Sequence, residues 1–165
     1  MRVTLMNAIS VDGFIAKPDG DSDWVVDDDQ FDAAIAEFGC LLIGHNTFKQ
    51  YEGDLYPIDG AVTFVYSSVP TESTYENVKF VTGTPQEVLD KITTAGFNKV
   101  LLAGGGKVNG SFAKAGLITE MILDVHPLVL GDGIKLLGDF SGQLGLEFVG
   151  QKNFEQFIQL HYKTN

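Results

Sequence analysis

Three successive glycines, Gly104-Gly105-Gly106, follow the apolar run of residues 99–103 and open a helical pattern over 107–115. Glycine at a strand-to-helix junction lets the backbone approach a ligand closely, and the N–H groups at a helix start attract phosphate. Each glycine loses extra backbone entropy on folding, so three together are costly as plain scaffolding. The competing reading is a tight turn with no ligand, and the spacing is not the G-x-G-x-x-G dinucleotide fingerprint. Gly44-His45-Asn46-Thr47 is a second junction of the same kind. Its Thr hydroxyl can donate to a phosphate oxygen, while ordinary capping by Asn46 is the alternative. Ser67-Ser68 ends a third apolar run and offers hydroxyls to a phosphate or a ribose, or simply makes a turn. Together these three sites point to a nucleotide, because open α/β sheets bind ligands at the carboxyl ends of their strands.

Carboxylates are the next candidates. Residues 19–32 hold seven aspartates, most of them expected to be solvated or to favour the start of the following helix. Asp29 lies on the first turn of that helix, behind Trp24, the single tryptophan. A carboxyl beside an aromatic and facing a cleft has a raised pKa and can bind a polar heterocycle or supply a proton; helix capping is the alternative. Asp124 and His126 sit on the opposite face of their strand from Leu123 and Val125, where either can meet a cleft. For His126 the expected role is structural, and Glu120 is expected to end the preceding turn or to pair at the surface. Asp12-Gly13 is a turn dipeptide in which Asp12 is expected to hold its own turn.

Alternating short apolar runs and helical patterns must position these groups, which gives an α/β chain with largely parallel strands. Strands are expected over 3–9, 40–43, 62–66, 78–81, 99–103 and 120–130, with return strands near 146–151 and 157–162. Phe31, Ala34, Ile35 and Phe38 form one helix face, capped by Asp27 or Asp28 and ended by Gly39. Thr84-Pro85-Gln86-Glu87 is a capping box with Pro at the first helical position, and Gly96 stops that helix. Asn109-Gly110 is a turn signal inside the last expected helix.

The 165 residues are expected to form one domain, 44% of them hydrophobic and 12 of them Phe. A net charge of −11 argues against a nucleic-acid partner or an anionic membrane surface, but allows a phosphate held by backbone N–H groups. Cys40, the single cysteine, excludes an intrachain disulfide and a CxxC zinc site, so no metal is expected. Without a leader or a membrane-length apolar run the expected address is cytoplasmic.

Ser10 to Ala16, Trp24, Leu42 to Phe48, Ser67-Ser68 and Ala103 to Gly106 occur in the order and spacing of the dihydrofolate-reductase superfamily. Residues 115–120 and 127–133 resemble the branch that includes the riboflavin biosynthesis reductase (RibD C-terminal) domain. The resemblance implies a three-layer dihydrofolate-reductase-like fold: a mostly parallel central sheet, antiparallel C-terminal strands, and helices on both faces. It implies an NADPH site, with Gly44, His45, Asn46 and Thr47 on the phosphates and Ser67 and Ser68 on the adenosine side. Gly104, Gly105, Gly106, Lys107 and Val108 would meet the pyrophosphate and nicotinamide ribose, and Ala8 and Ile15 would line the nicotinamide pocket. The Gly104-Gly105 peptide is expected to be cis. Asp29 would hold the substrate and relay a proton, with Trp24, Phe31 and Asp124 beside it. His45 stands where such families carry Arg, so NADH is not excluded. The implied activity is hydride transfer from NADPH to a C=N or C=O of a small pterin- or pyrimidine-like substrate. A nicotinamide-nucleotide-binding protein without turnover is the alternative. A homodimer pairing through the 120–130 strand is compatible with either.

Overall fold

The computed structural model describes residues 1–26 and 29–165. The first apolar run becomes β1 (Arg2–Ser10), and β2 (Phe14–Ala16) follows its turn. Then come α1 (Asp29–Phe38), β3 (Cys40–Gly44), α2 (His45–Tyr51), β4 (Val62–Tyr66) and β5 (Val78–Val81). They are followed by α3 (Pro85–Thr94), β6 (Lys99–Leu102), α4 (Gly106–Lys114) and β7 (Glu120–His126). The chain ends with β8 (Ile134–Lys135), β9 (Leu146–Asn153) and β10 (Ile158–Thr164).

Eight strands form one sheet in the order β5-β4-β3-β6-β1-β7-β10-β9, and β2 pairs with β8 separately. The ladders from β5 to β7 are parallel, whereas β10 runs antiparallel to both β7 and β9. Every residue of β3 is buried, as expected of a parallel strand covered on both faces. On one face Val3, Leu5, Leu42 and Leu102 pack with Val88, Leu89 and Ile92 of α3 and Phe112 of α4. On the other, Met6, Leu41 and Ile43 pack with Ile35 and Phe38 of α1 and Phe48 of α2. These are the three layers the resemblance implied. No helix among the described residues is long and apolar enough to cross a membrane.

The start signal at Thr84 is realised in full: its side chain accepts from the Glu87 N–H, and the Glu87 carboxylate accepts from the Thr84 N–H at 2.7 Å. Gly39 and Gly96 follow α1 and α3 with positive φ. The Asp27 and Asp28 caps expected for α1 lie outside the described residues.

Three expectations are corrected. The strand expected over 120–130 ends at His126, because Pro127 has no N–H to continue a ladder and Leu128 turns back to the His126 carbonyl at 2.8 Å. That strand is no free edge: β1 and β10 take both of its ladders, so dimer pairing through it is ruled out. The helix expected over 107–115 forms as α4, with Asn109-Gly110 inside it despite the turn signal. There a Cβ on Gly110 would come within 2.3 Å of the Leu137 carbonyl oxygen, so packing against the 134–138 segment sets the glycine. Asp12 does not simply hold its own turn. Its carboxylate accepts from the Ser10 hydroxyl at 2.6 Å and from the backbone N–H groups of Leu130 and Gly131 at 3.1 and 2.8 Å.

The Ser10 hydroxyl is the first cause holding the Asp12 carboxyl below its ordinary value, the Gly131 and Leu130 amides add to this, and partial desolvation opposes it. A lowered folded value means that the tether contributes above the ordinary carboxylate value of 3.8 and is lost as pH falls through the lower folded one. The Leu130 and Gly131 amide resonances are therefore expected to titrate together below pH 3.8 in NMR spectra. Asp12→Ala should abolish that titration. Amides that do not respond to pH in the unaltered chain would refute the tether.

Candidate active site

The turn leaving β3 and the turn leaving β6 are pressed together. The Gly44 N–H donates to the Gly104 carbonyl at 2.8 Å, and the Gly104-Gly105 peptide is cis, as expected. A Cβ on Gly44 would approach Val108 Cγ2 to 2.9 Å, and one on Gly105 would approach Thr47 Oγ1 to 3.1 Å. The helices that begin there, α2 and α4, have Gly44 and Gly105 at their caps and no side-chain cap hydrogen bond. Asn46 lies within α2 and does not cap it, which corrects the simpler reading of that residue. α3 supplies the contrast, since its N-terminus is closed by a complete capping box. The uncapped starts of α2 and α4 leave backbone donors and positive helix ends for an anion.

A cleft of about 1010 Å³ opens at these turns. Gly44, His45, Asn46, Thr47, Ser67 and Ser68 line one part of it. Gly105, Gly106, Lys107 and Val108 form the adjoining wall, and Ala8 and Ile15 face it from β1 and β2. Gly104 is buried beneath this wall, with φ +104. Ser67 is buried, and its hydroxyl accepts from the Val69 N–H at 3.2 Å and lies 3.3 Å from His45 Nδ1. The His45 ring meets Phe80 edge-on at 5.4 Å.

Toward β1 and β7 the lining changes character. Ala8 neighbours Asp124 in the β1–β7 ladder, and Ser10 neighbours His126. Asp124 is 7% exposed and accepts from Gln159 Nε2 at 2.9 Å. His126 lines the cleft and also has the expected structural role: Nδ1 donates to the Asp124 carbonyl at 2.9 Å, and Nε2 accepts from the Val26 N–H at 3.1 Å. Its ring stacks on Phe157 at 5.1 Å and meets Trp24 edge-on at 5.4 Å. Phe31 lines the cleft, whereas Trp24 stands behind His126 and is not among the lining residues. Asp29 is exposed and does not reach the lining; Asp32, on the same helix α1, does. This corrects the acid assignment: both carboxylates belong to the first turn of α1, and the three-residue step between them turns Asp32 rather than Asp29 to the cleft.

Other residues hold the cleft's rim. Lys17 Nζ bridges Asp23 at 2.7 Å and Asp21 at 2.9 Å, and these hydrogen bonds, Asp23 first, raise the Lys17 pKa. The Tyr51 hydroxyl and the Ser22 hydroxyl are 2.7 Å apart, and Gln50 Nε2 donates to the Gly20 carbonyl at 2.8 Å. Sequence reasoning missed Gln50, Tyr51 and Asp32, because long-range pairing and helix orientation bring them to the cleft. Cys40 lies in the core, where burial pushes its thiol up to about 12, so it is no nucleophile. Glu120 pairs with Arg2 at 3.0 Å, as expected.

The family described as RibD C-terminal domain matches residues 1–160. The uncharacterized protein YwjB of Bacillus subtilis (strain 168) is 29% identical, covering 98% of this chain and 97% of that protein. The crystal structure of a protein from Shewanella sp. PV-4 named for riboflavin biosynthesis is 27% identical and superposes with a TM-score of 0.85, covering 100% of this chain and 99% of that one. A diaminohydroxyphosphoribosylaminopyrimidine deaminase/5-amino-6-(5-phosphoribosylamino)uracil reductase from Thermotoga maritima shares the fold at 16% identity and TM-score 0.79, covering 99% of this chain and 56% of that one.

Proposed function

Because this chain belongs to the RibD C-terminal domain family, we propose that it is an NADPH-dependent reductase acting on a C=N or C=O of a small pterin- or pyrimidine-like molecule. The observation that carries the reading is the meeting of two helix starts without side-chain caps on one wall of the cleft. That wall fits a dinucleotide phosphate by its donors. When bound, a reduced nicotinamide supplies hydride from C4.

The chain's own residues bind and orient. The amides around Gly44 and Gly105, with Thr47, Gly106, Lys107 and Val108, hold phosphate and ribose. His45, Asn46, Ser67 and Ser68 take the adenosine side. Ala8 and Ile15 form the floor under the ring, Phe31 supplies an apolar wall, and Asp32 and Asp124 are the carboxyls that reach the acceptor end. Rate then comes chiefly from positioning the two reactants.

Titration with NADPH and NADH, followed by Trp24 fluorescence and thermal shift, tests this. NADPH is expected to bind and to stabilise the fold. His45→Arg is expected to increase the preference for NADPH about tenfold, as one charge-assisted hydrogen bond to the 2′-phosphate would. An unchanged preference would remove the phosphate role of His45. NADPH binding without oxidation across a panel of C=N and C=O acceptors would favour a nucleotide-binding protein without turnover, and no NADPH binding would overturn both readings.

A further inference from the structure

Tyr56 joins the core to the cleft. It follows α2, where the amides of Asp54, Leu55 and Tyr56 all donate to the Tyr51 carbonyl, at 3.2, 2.9 and 3.0 Å. The Tyr56 carbonyl accepts from the Gly53 N–H at 2.8 Å, so its backbone is held on both sides. The ring stacks on Phe48 at 6.2 Å, in the same cluster as Met6 and Ile35. Tyr56 is only 4% exposed, yet it lines the cleft together with Met6 and Phe31. Met6 stands two residues before Ala8 on one face of β1, which places Tyr56 toward the floor proposed for the nicotinamide. A buried tyrosine hydroxyl ordinarily finds a hydrogen-bond partner. Among the described residues none hydrogen-bonds that of Tyr56. The fully buried orphan side-chain atoms of the described residues lie elsewhere, on Thr4, Trp24, Thr63 and Asn109, so the Tyr56 hydroxyl keeps contact with the open space of the cleft. Nearby polar groups are engaged with one another: the Tyr51 hydroxyl with Ser22, and Gln50 with the Gly20 carbonyl. Burial, with a smaller contribution from Tyr51, pushes the Tyr56 phenol above its ordinary value, so the proton stays on the oxygen.

We propose that Tyr56 is a specificity-determining residue whose hydroxyl donates a hydrogen bond to a carbonyl oxygen or ring nitrogen of the acceptor molecule. The proposal rests on the reductase reading for what occupies this part of the cleft. The Phe48 stack needs the ring and not the hydroxyl, so the fold gains nothing from the oxygen that phenylalanine would not supply. A ring fixed by packing and by its backbone loses little freedom when it meets a ligand. A donor left unpaired in a partly dry cleft favours the ligand that satisfies it, and a molecule of the same shape without an acceptor atom there leaves it unpaired. The chain would thereby select planar oxo- or aza-heterocycles over hydrocarbon rings of equal size.

The test titrates 7,8-dihydrobiopterin and 5,6-diaminouracil calorimetrically into the full chain, alone and saturated with NADPH, for the unaltered protein and Tyr56→Phe. At least one probe is expected to bind the unaltered chain and to lose at least about fivefold in affinity in Tyr56→Phe. The NADPH Kd of the variant should stay within about twofold, and its Tm within about 2 °C or higher, because the hydroxyl has no partner in the protein. That split between ligand affinity and stability separates a contact with the ligand from a packing role. Replacing Tyr56 by 3-fluorotyrosine, whose more acidic hydroxyl donates more strongly, should tighten the same probe. Unchanged probe affinity in Tyr56→Phe would overturn the proposal, as would binding of neither probe by the NADPH-saturated unaltered chain at millimolar concentration. Should Tyr56→Phe fold poorly, the fluorotyrosine chain decides, and equal or weaker binding there overturns the donor role. Failure to bind NADPH would overturn the reductase reading, while titration of the chain alone would still report the Tyr56 contact.

Discussion

Gly106→Ala is expected to lower stability by about 2–3 kcal/mol and to raise the NADPH Kd at least about tenfold. The three glycines of the opening run serve three different purposes. Gly104 has φ +104, a conformation that side chains rarely adopt. Gly105 lies at ordinary φ, and a Cβ there would press on the Thr47 hydroxyl at 3.1 Å. Gly106 also lies at ordinary φ, but its Cβ would come within 2.3 Å of the Lys135 carbonyl oxygen and 3.1 Å of Ile134 Cγ2. A backbone carbonyl cannot rotate aside as a side chain does, so α4 or the 134–138 segment must move. Both Gly106 and Ile134 line the cleft, so the displacement carries into the wall proposed to hold phosphate.

Thermal melts and fluorescence titration read the two effects separately. A destabilisation of this size lowers the Tm of a chain this long by roughly 5–10 °C. Gly105→Ala makes the comparison, since its conflict is with one hydroxyl. It should lose NADPH affinity to a similar degree with a melting shift less than half as large. Equal melting temperatures for Gly106→Ala and the unaltered chain would sink the packing account.

The same glycines show what the residues alone could tell. Periodicity and turn chemistry placed the strands and helices, because apolar alternation, Thr84-Pro85 and Gly39 act locally. The phosphate-compatible strand ends were legible for the same reason. Three glycines read as room for a ligand, however, are in part room for the protein itself. Nothing local to Gly106 announces the Lys135 carbonyl, and nothing local to Asp12 announces the Leu130 and Gly131 amides. Asp29 and Asp32 are three residues apart on one helix, and only the angle at which α1 meets the sheet decides which reaches the cleft. Such pairings depend on register between distant segments, which composition and spacing do not encode.

The largest of these long-range links leads to the second strong effect. Asn109 is fully buried in α4, and its Nδ2 donates to Asn7 Oδ1 and to the Leu136 carbonyl, each at 2.9 Å. Asn7 Nδ2 donates in turn to the Ala103 carbonyl at 3.2 Å. Four segments meet through two amides: β1, the end of β6, α4 and the 134–138 loop. The directions are fixed, because two acceptors facing Asn109 Nδ2 require the amino group there. Asn109→Ala leaves both acceptors buried without a donor and opens a small cavity, an expected loss of about 3 kcal/mol in urea denaturation. Asn109→Asp keeps the shape but sets carboxyl oxygen against two oxygens, so it should cost more than alanine despite being nearly isosteric. That ordering separates hydrogen bonding from packing, since a packing role alone would rank aspartate as the milder change. Asn7→Ala and Asn109→Ala together should fall short of the sum of the singles by about 1–2 kcal/mol, because each removes the partner of the other. Since Asn7 lines the cleft and supports the Ala103 carbonyl just before Gly104, both single variants should also weaken NADPH binding. Additivity within about 0.5 kcal/mol would mean that the two amides act independently and that the β6–α4 turn is held by backbone contacts alone.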